Sequence, residues 1–253
     1  CYRLVFGDSD RLPGLVIDRF EDDYVVQISL VGMELLKTEI MAALEKVCRP
    51  RHIVFKNNGK MRGPEGLESY VEVAKGDAIE DALYSYIGGW GIQAAAFGAD
   101  SVTCVDSSTL ALDYVIKNAE LNELQDKVDC IEGDVFEVCK KLKELDERFD
   151  IVIADPPAFI PRRKDQKAGE LAYQRLNQLA MRLLGKDGLL VSASCSMHMS
   201  KTALVKAVSL AGQTLEKQLQ IIEQGGQGPD HPIIPAIPET DYLKAIFVRV
   251  LPA

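Results

Sequence analysis

Asp155 and Cys195 are the residues whose types and settings could do chemistry. Asp155 sits in Phe149-Asp150-Ile151-Val152-Ile153-Ala154-Asp155-Pro156-Pro157-Ala158-Phe159. The first half is an apolar, β-branched run bounded by a turn signal, which predicts a strand buried on both faces of a parallel sheet. Pro156 and Pro157 lack an N–H and hold φ near one value, so the turn after the strand is stiff. A carboxylate there, at the carboxyl end of a buried strand, is where open α/β sheets bind ligands. The segment reads equally as an ordinary strand–turn boundary. Cys195 ends the following strand, so in a parallel sheet its turn could lie beside that of Asp155. A cysteine at a strand end is often simply buried. As a nucleophile it would act through its thiolate; a free thiol titrates at about 8.5, and a positively charged neighbour would raise the thiolate fraction. Ser194, Ser196 and His198 surround it with polar groups.

Two further acids end earlier strands. Asp106 closes Ser101–Asp106 and Asp134 follows Val128–Ile131. Upstream lies the glycine turn Gly88-Gly89-Trp90-Gly91, which alone is weak evidence of a nucleotide site. Asp106 follows it by about 20 residues, the separation at which an acid in such sheets accepts hydrogen bonds from a ribose. No Gly-Lys-Ser/Thr is present. An adenosine-type cofactor without a pyrophosphate is therefore favoured over a nucleoside triphosphate.

These residues need a scaffold. Residues 1–76 read as strands around one helix, Met33–Val47, giving a small α+β unit. From residue 77 to 253 the pattern alternates strand and helix, which predicts a mostly parallel sheet with helices on both faces. The expected helices are 92–97, 109–121, 135–145, 171–184 and 202–210. The closing strands are expected at 219–223 and 243–250. Residues 76–82 are too few to join two such domains, so a segment is expected to be missing there. His52 reads as a surface strand residue and His231 as part of a stiff loop.

The chain is 253 residues long, 47% hydrophobic and 26% charged, the composition of a soluble globular protein. It opens on Cys1 rather than Met, so a preceding segment is expected. No apolar run is long enough for a membrane span. The six cysteines include no Cys-x-x-Cys pair, so no metal site is expected, and a reducing, cytoplasmic setting fits their use. A net charge of −9 argues against a nucleic-acid partner. Local basic clusters can still bind RNA. Arg162-Arg163-Lys164 and the set Lys56, Lys60 and Arg62 are the candidates.

Taken together, several motifs resemble the bacterial ribosomal RNA large subunit 5-methylcytosine methyltransferase family. They are Asp155-Pro156-Pro157-Ala158-Phe159, Tyr84-Ser85-Tyr86-Ile87-Gly88-Gly89-Trp90-Gly91, Val105-Asp106-Ser107-Ser108, Gly133-Asp134-Val135-Phe136, Ser194-Cys195-Ser196, Asp230-His231-Pro232 and Tyr242-Leu243-Lys244. Leu12–Arg19 and Pro64–Leu67 are similar to that family's middle domain. The resemblance implies a class I S-adenosylmethionine fold behind an EEHEE-type domain, with a PUA domain further upstream. It implies S-adenosylmethionine held by Ser85, Tyr86, Gly88, Asp106, Ser107, Asp134, Val135 and Asp155. It implies ribosomal RNA as the partner, a homodimer as a candidate assembly, and no membrane. Cys195 would be the nucleophile at cytosine C6, and Asp155 would hold the cytosine N3/N4 edge. Two other readings stay open. One is an amino methyltransferase working at an acid-Pro-Pro turn, and the other is a ribosome-binding protein without turnover.

Overall fold

The computed structural model describes residues 1–77 and 88–252. They divide into two units, and the loop Gln227–Asp241 packs with residues 1–77 although the reading above places it in the second domain.

The first unit is a five-stranded sheet in the order β1-β2-β3-β4-β5. Strands β1 (Tyr2–Phe6), β2 (Leu15–Phe20) and β3 (Asp23–Ile28) form an antiparallel meander. The expected single helix is two, α1 (Val31–Leu35) and α2 (Lys37–Cys48), because Leu36 departs from helical geometry between them. They carry the chain over to β4 (His52–Asn57), parallel to β3, and β5 (Tyr70–Lys75) closes the sheet antiparallel to β4. Leu15, Ile17, Tyr24, Val26, Ile28, Ile53 and Phe55 alternate onto one face and bury against Leu44 of α2. That is the period-two pattern of a half-covered sheet.

Three polar side chains of this unit find close partners within it. His52 is half-buried at the start of β4, and its Nδ1 lies 2.8 Å from an oxygen of the buried Asp23, which Arg51 also holds at 2.9 Å. Those partners keep the Asp23 carboxyl below the usual carboxylate range. Arg62 is 2% exposed and cannot offer its charge to RNA. Its guanidinium donates to Glu34 at 2.7 Å and to the backbone oxygens of Ile28 and Glu68. His231 stacks on Phe6 at 4.6 Å beside Asp230, as a structural loop residue would.

The second unit contains α3 (Gly89–Ala96), β6 (Val102–Asp106), α4 (Thr109–Leu121), β7 (Val128–Glu132), α5 (Val135–Glu144) and β8 (Phe149–Ala154). It continues with α6 (Gln166–Leu183), β9 (Leu184–Ser194), α7 (Lys201–Thr214), β10 (Lys217–Gly226) and β11 (Lys244–Pro252). Strands β6 and β7 pair in parallel, and so do β8 and β9. The last strand inserts antiparallel between β9 and β10, completing the order β10-β11-β9-β8. Its core is built from α6 and α7 against β9 and β11, with Tyr173, Leu190, Leu204, Ile246 and Val248 all fully covered.

One expectation about the central segment needs correcting. Among the described residues β8 pairs with β9 alone and forms the edge of its sheet, and Ile151 is 53% exposed. The run of β-branched residues encodes a strand suited to two-sided burial, but burial depends on a neighbour that lies elsewhere in the chain.

Candidate active site

The carboxyl ends of the parallel strands gather the candidate residues in two places. At the first, β6 and β7 end side by side, with Asp106 in register with Glu132 and Gly133 N–H donating to Asp106 O at 3.0 Å. Asp106 and Asp134 are both exposed there. Each has local work as well. Asp106 accepts from Ser108 N–H at 2.8 Å, and Asp134 caps α5 by accepting from Phe136 and Glu137 N–H. A carboxylate at a helix N-terminus is favoured by the helix dipole. Ser107 is exposed beside Asp106, and Val135 is half-buried at the start of α5.

Gly88 opens α3 with φ 71°, the left-handed region that glycine enters without strain. A Cβ built there would lie 2.9 Å from Val115 Cγ2, so any side chain would push α4 away. The glycine therefore lets this turn pack directly against α4. A cradle of bare backbone beside two exposed acids fits an adenosine-type cofactor. Gly88, Asp106, Ser107, Asp134, Val135 and, at the second place, Asp155 are the described residues to which the motifs assign it. Ser85 and Tyr86, assigned to the same task by the motif, lie outside the described residues.

At the second place, three segments meet. Trp90 Nε1 donates to Asp155 Oδ2 at 3.1 Å, tying the glycine turn to the Asp-Pro-Pro turn. Ile160 N–H donates to Ser196 Oγ at 3.3 Å, tying the chain after that turn to the turn bearing Cys195. Phe159 is the anchor of the Asp155 segment. Its ring lies 4.9 Å from that of Tyr173 on α6 and 6.2 Å from that of Phe136 on α5.

The Cys195 turn is held from beneath. Ser194 Oγ donates to Tyr173 Oη at 2.8 Å, the Tyr173 and Ser196 hydroxyls share a hydrogen bond at 3.0 Å, and Ser196 N–H donates to Ser194 Oγ at 3.2 Å. All three residues are buried. Lys244 completes the frame by donating to Ser196 O at 2.7 Å. The Cys195 thiol itself is partly exposed. Burial pushes its pKa above the ordinary value, and the Asp155 carboxylate raises it further. Its own backbone and the Lys244 ammonium act in the opposite sense. Ala154 is in register with Ser192 on β9, so the Asp155 and Cys195 turns leave neighbouring strand ends. His198 is half-buried and makes no hydrogen bond among the described residues.

Sequence reasoning named Ser194 and Ser196 but missed Tyr173, which hides among the apolar positions of α6. It also missed any role for Trp90. Lys244 was visible only as part of a motif, although a lysine opening a largely apolar strand is a readable oddity. Among the described residues no group of three or more His, Cys, Asp or Glu could hold a metal, and no helix is long and apolar enough to cross a membrane.

Comparison with known proteins adds a second line of argument. The ribosomal RNA large subunit methyltransferase I of Erwinia tasmaniensis is 31% identical over 99% of this chain, which spans 74% of that protein. The protein of the same name from Klebsiella pneumoniae strain 342 gives the same identity and coverage. The chain belongs to this methyltransferase family. Residues 81–249 also match the family described as RNA cap guanine-N2 methyltransferase. Among solved structures, SMU.776 in complex with SAH has a TM-score of 0.79 at 18% identity, covering 98% of this chain and 74% of that one. Trm5b of Pyrococcus abyssi has a TM-score of 0.60 at 13% identity over 93% of this chain and 74% of its own. Both share the fold of this chain, the first of them holds SAH, and the present methyltransferase uses S-adenosylmethionine as its donor. The Erwinia alignment runs to 296 positions against the 253 residues here, so at least 43 of them face no residue of this chain. The gap expected from sequence near residues 76–82 falls largely outside the described residues.

Proposed function

We propose that this methyltransferase forms 5-methylcytosine in large-subunit ribosomal RNA through a covalent bond between Cys195 and cytosine C6. The observation that carries the reading is a carboxylate and a thiol on the turns of neighbouring parallel strands, joined through Ile160 and Ser196. The name shared by the relatives supports the RNA class. Such a substrate places the enzyme with ribosomes, in the cytoplasm.

C5 of cytosine is too weak a nucleophile to take a methyl group unaided. When bound, S-adenosylmethionine supplies an electrophilic methyl on a sulfonium sulfur. The Cys195 thiolate adds to C6, forming an S–C6 bond and pushing the C5=C6 electrons onto C5, which then becomes the attacking atom. After methylation a base removes the C5 proton, the double bond re-forms and the thiolate leaves. Splitting one hard step into easier ones is what covalent catalysis provides. Asp155 accepts from the cytosine N4 amino group, and as the thiolate pushes electrons into the ring N3 takes up a proton, whose N3–H the same carboxylate accepts and stabilises. The same contact has a second consequence. In the free enzyme the Asp155 charge disfavours the thiolate, and a carboxylate engaged by the cytosine edge opposes it less. Substrate binding therefore helps to arm its own nucleophile.

A competing reading is methylation of an exocyclic amine, as the guanine-N2 family match and the Asp-Pro-Pro turn would suit. That chemistry has no use for Cys195. Cys195→Ala with S-adenosylmethionine and large-subunit RNA separates the two. Loss of 5-methylcytosine with retained donor binding is expected, and full methylation by the variant would overturn the covalent reading.

A further inference from the structure

Lys244 is 7% exposed at the first position of β11. Lysine is rarely buried, and its charge must be satisfied by acceptors when it is. Its register partner on β9 is Ser194, one residue before Cys195. Its ammonium donates to Ser196 O, one residue after Cys195, and to Tyr242 O at 2.6 Å. Backbone and side chain of one lysine thus bracket the thiol.

A tether alone does not require a charge at this place. The Ser194, Tyr173 and Ser196 hydroxyls already hold the turn with neutral groups, and Met199 N–H closes it on Ser196 O at 3.0 Å. Burying an ammonium adds a desolvation cost that a neutral donor would avoid. What the lysine contributes beyond the hydroxyls is positive charge. Among the described residues the charged groups that act on the Cys195 sulfur are Asp155 after β8 and Lys244 on β11, while Tyr173 of α6 bonds to Ser194 and Ser196 on either side of it and His198 lies three residues on. Of these, Asp155 opposes ionisation of the thiol and Lys244 favours it.

We propose that Lys244 is a positioning residue for Cys195, a built-in cation that favours the thiolate in a turn where Asp155 opposes it. The inference rests on the covalent reading above, and it extends that reading by assigning the source of the thiolate. It does not make Lys244 the base, because its ammonium is committed to two carbonyl oxygens.

The test is the rate at which iodoacetamide alkylates Cys195, followed at the level of its peptide by mass spectrometry across pH 6–10. The full chain is compared with Lys244→Gln and Lys244→Arg. Glutamine keeps an N–H donor for the Ser196 carbonyl but carries no charge, and arginine keeps the charge. At pH 7.5 the Lys244→Gln rate should fall about two- to threefold and its profile should move to higher pH, with Lys244→Arg close to the native chain. Identical profiles for Lys244→Gln and the native chain would overturn the proposal. So would equal losses in both variants, which would make geometry rather than charge the cause. Alkylation does not require turnover, so these outcomes stand apart from the Cys195→Ala methylation result that tests the covalent reading.

Discussion

Replacing Gly169 by alanine is an informative perturbation of the frame behind the site. Gly169 is buried in the first turns of α6, where the helix passes under the segment leaving Asp155. A Cβ there would lie 2.3 Å from Ile160 Cγ1 and 2.7 Å from Phe159 O. On helix propensity alone, Gly169→Ala should stabilise by about 1 kcal/mol. Overpacking a filled site costs about 1–3 kcal/mol. Here part of the obstacle is backbone, which cannot rotate aside, so the upper part of that range applies. The net expectation is a loss of about 1–2 kcal/mol, or a melting point lower by about 2–8 °C for a unit of this size. The displaced segment contains Ile160, whose N–H meets Ser196 Oγ, so the Asp155 and Cys195 turns should move apart. Misplacing reacting groups by a fraction of an ångström should slow methyl transfer about tenfold or more. Thermal unfolding followed by circular dichroism and single-turnover methylation of large-subunit RNA read the two effects. A variant that melts at or above the native temperature and turns over at the native rate would refute the packing argument.

Asp155→Asn should move two quantities in opposite directions. With the carboxylate gone the Cys195 thiol ionises more readily and iodoacetamide labels it faster at pH 7.5, while methylation falls because the cytosine edge loses its acceptor; parallel changes would contradict the role. The pH profile of methylation has a definite sign. Because burial and Asp155 hold the thiol above the ordinary cysteine range, little thiolate exists at pH 7 and its fraction grows about tenfold per unit until the raised pKa is reached. The rate should therefore climb from pH 6.5 to 9, and a flat profile would count against a thiolate nucleophile. In the first unit, Arg62→Ala leaves Glu34 without its buried partner and should cost about 3 kcal/mol in denaturant unfolding. RNA affinity measured below the transition should be unchanged, since Arg62 does not reach the surface.

Much of this was legible from residue order. Thr109–Leu121 carries apolar positions at helical spacing, and the observed α4 has those bounds. Asp106 and Asp134 could be placed at strand ends because polar turns follow β-branched runs. The start of α6 could not be read, since Gln166-Lys167-Ala168-Gly169-Glu170 offers no apolar period and includes a helix-weakening glycine. The start of β9 was hidden by Gly185-Lys186-Asp187-Gly188, which reads as a turn. The structure absorbs it as an irregularity between Leu184 and Leu189 opposite Phe149 and Ile151. The Tyr173 hydroxyl and the Lys244 ammonium meet the Cys195 turn from 22 and 49 residues away in sequence, and no local pattern encodes such contacts.

The central claim is a bond between one sulfur and one carbon, and trapping that bond tests it most directly. A large-subunit RNA fragment carrying 5-fluorocytidine in place of cytidine gives the enzyme a C5 fluorine that a base cannot remove, so an adduct at C6 should persist after methylation. The account predicts an RNA–protein species stable to denaturation, with the modified nucleotide on the peptide containing Cys195. Efficient methylation of the unmodified fragment to 5-methylcytosine, with no such adduct on Cys195 from the fluorinated one, would contradict it.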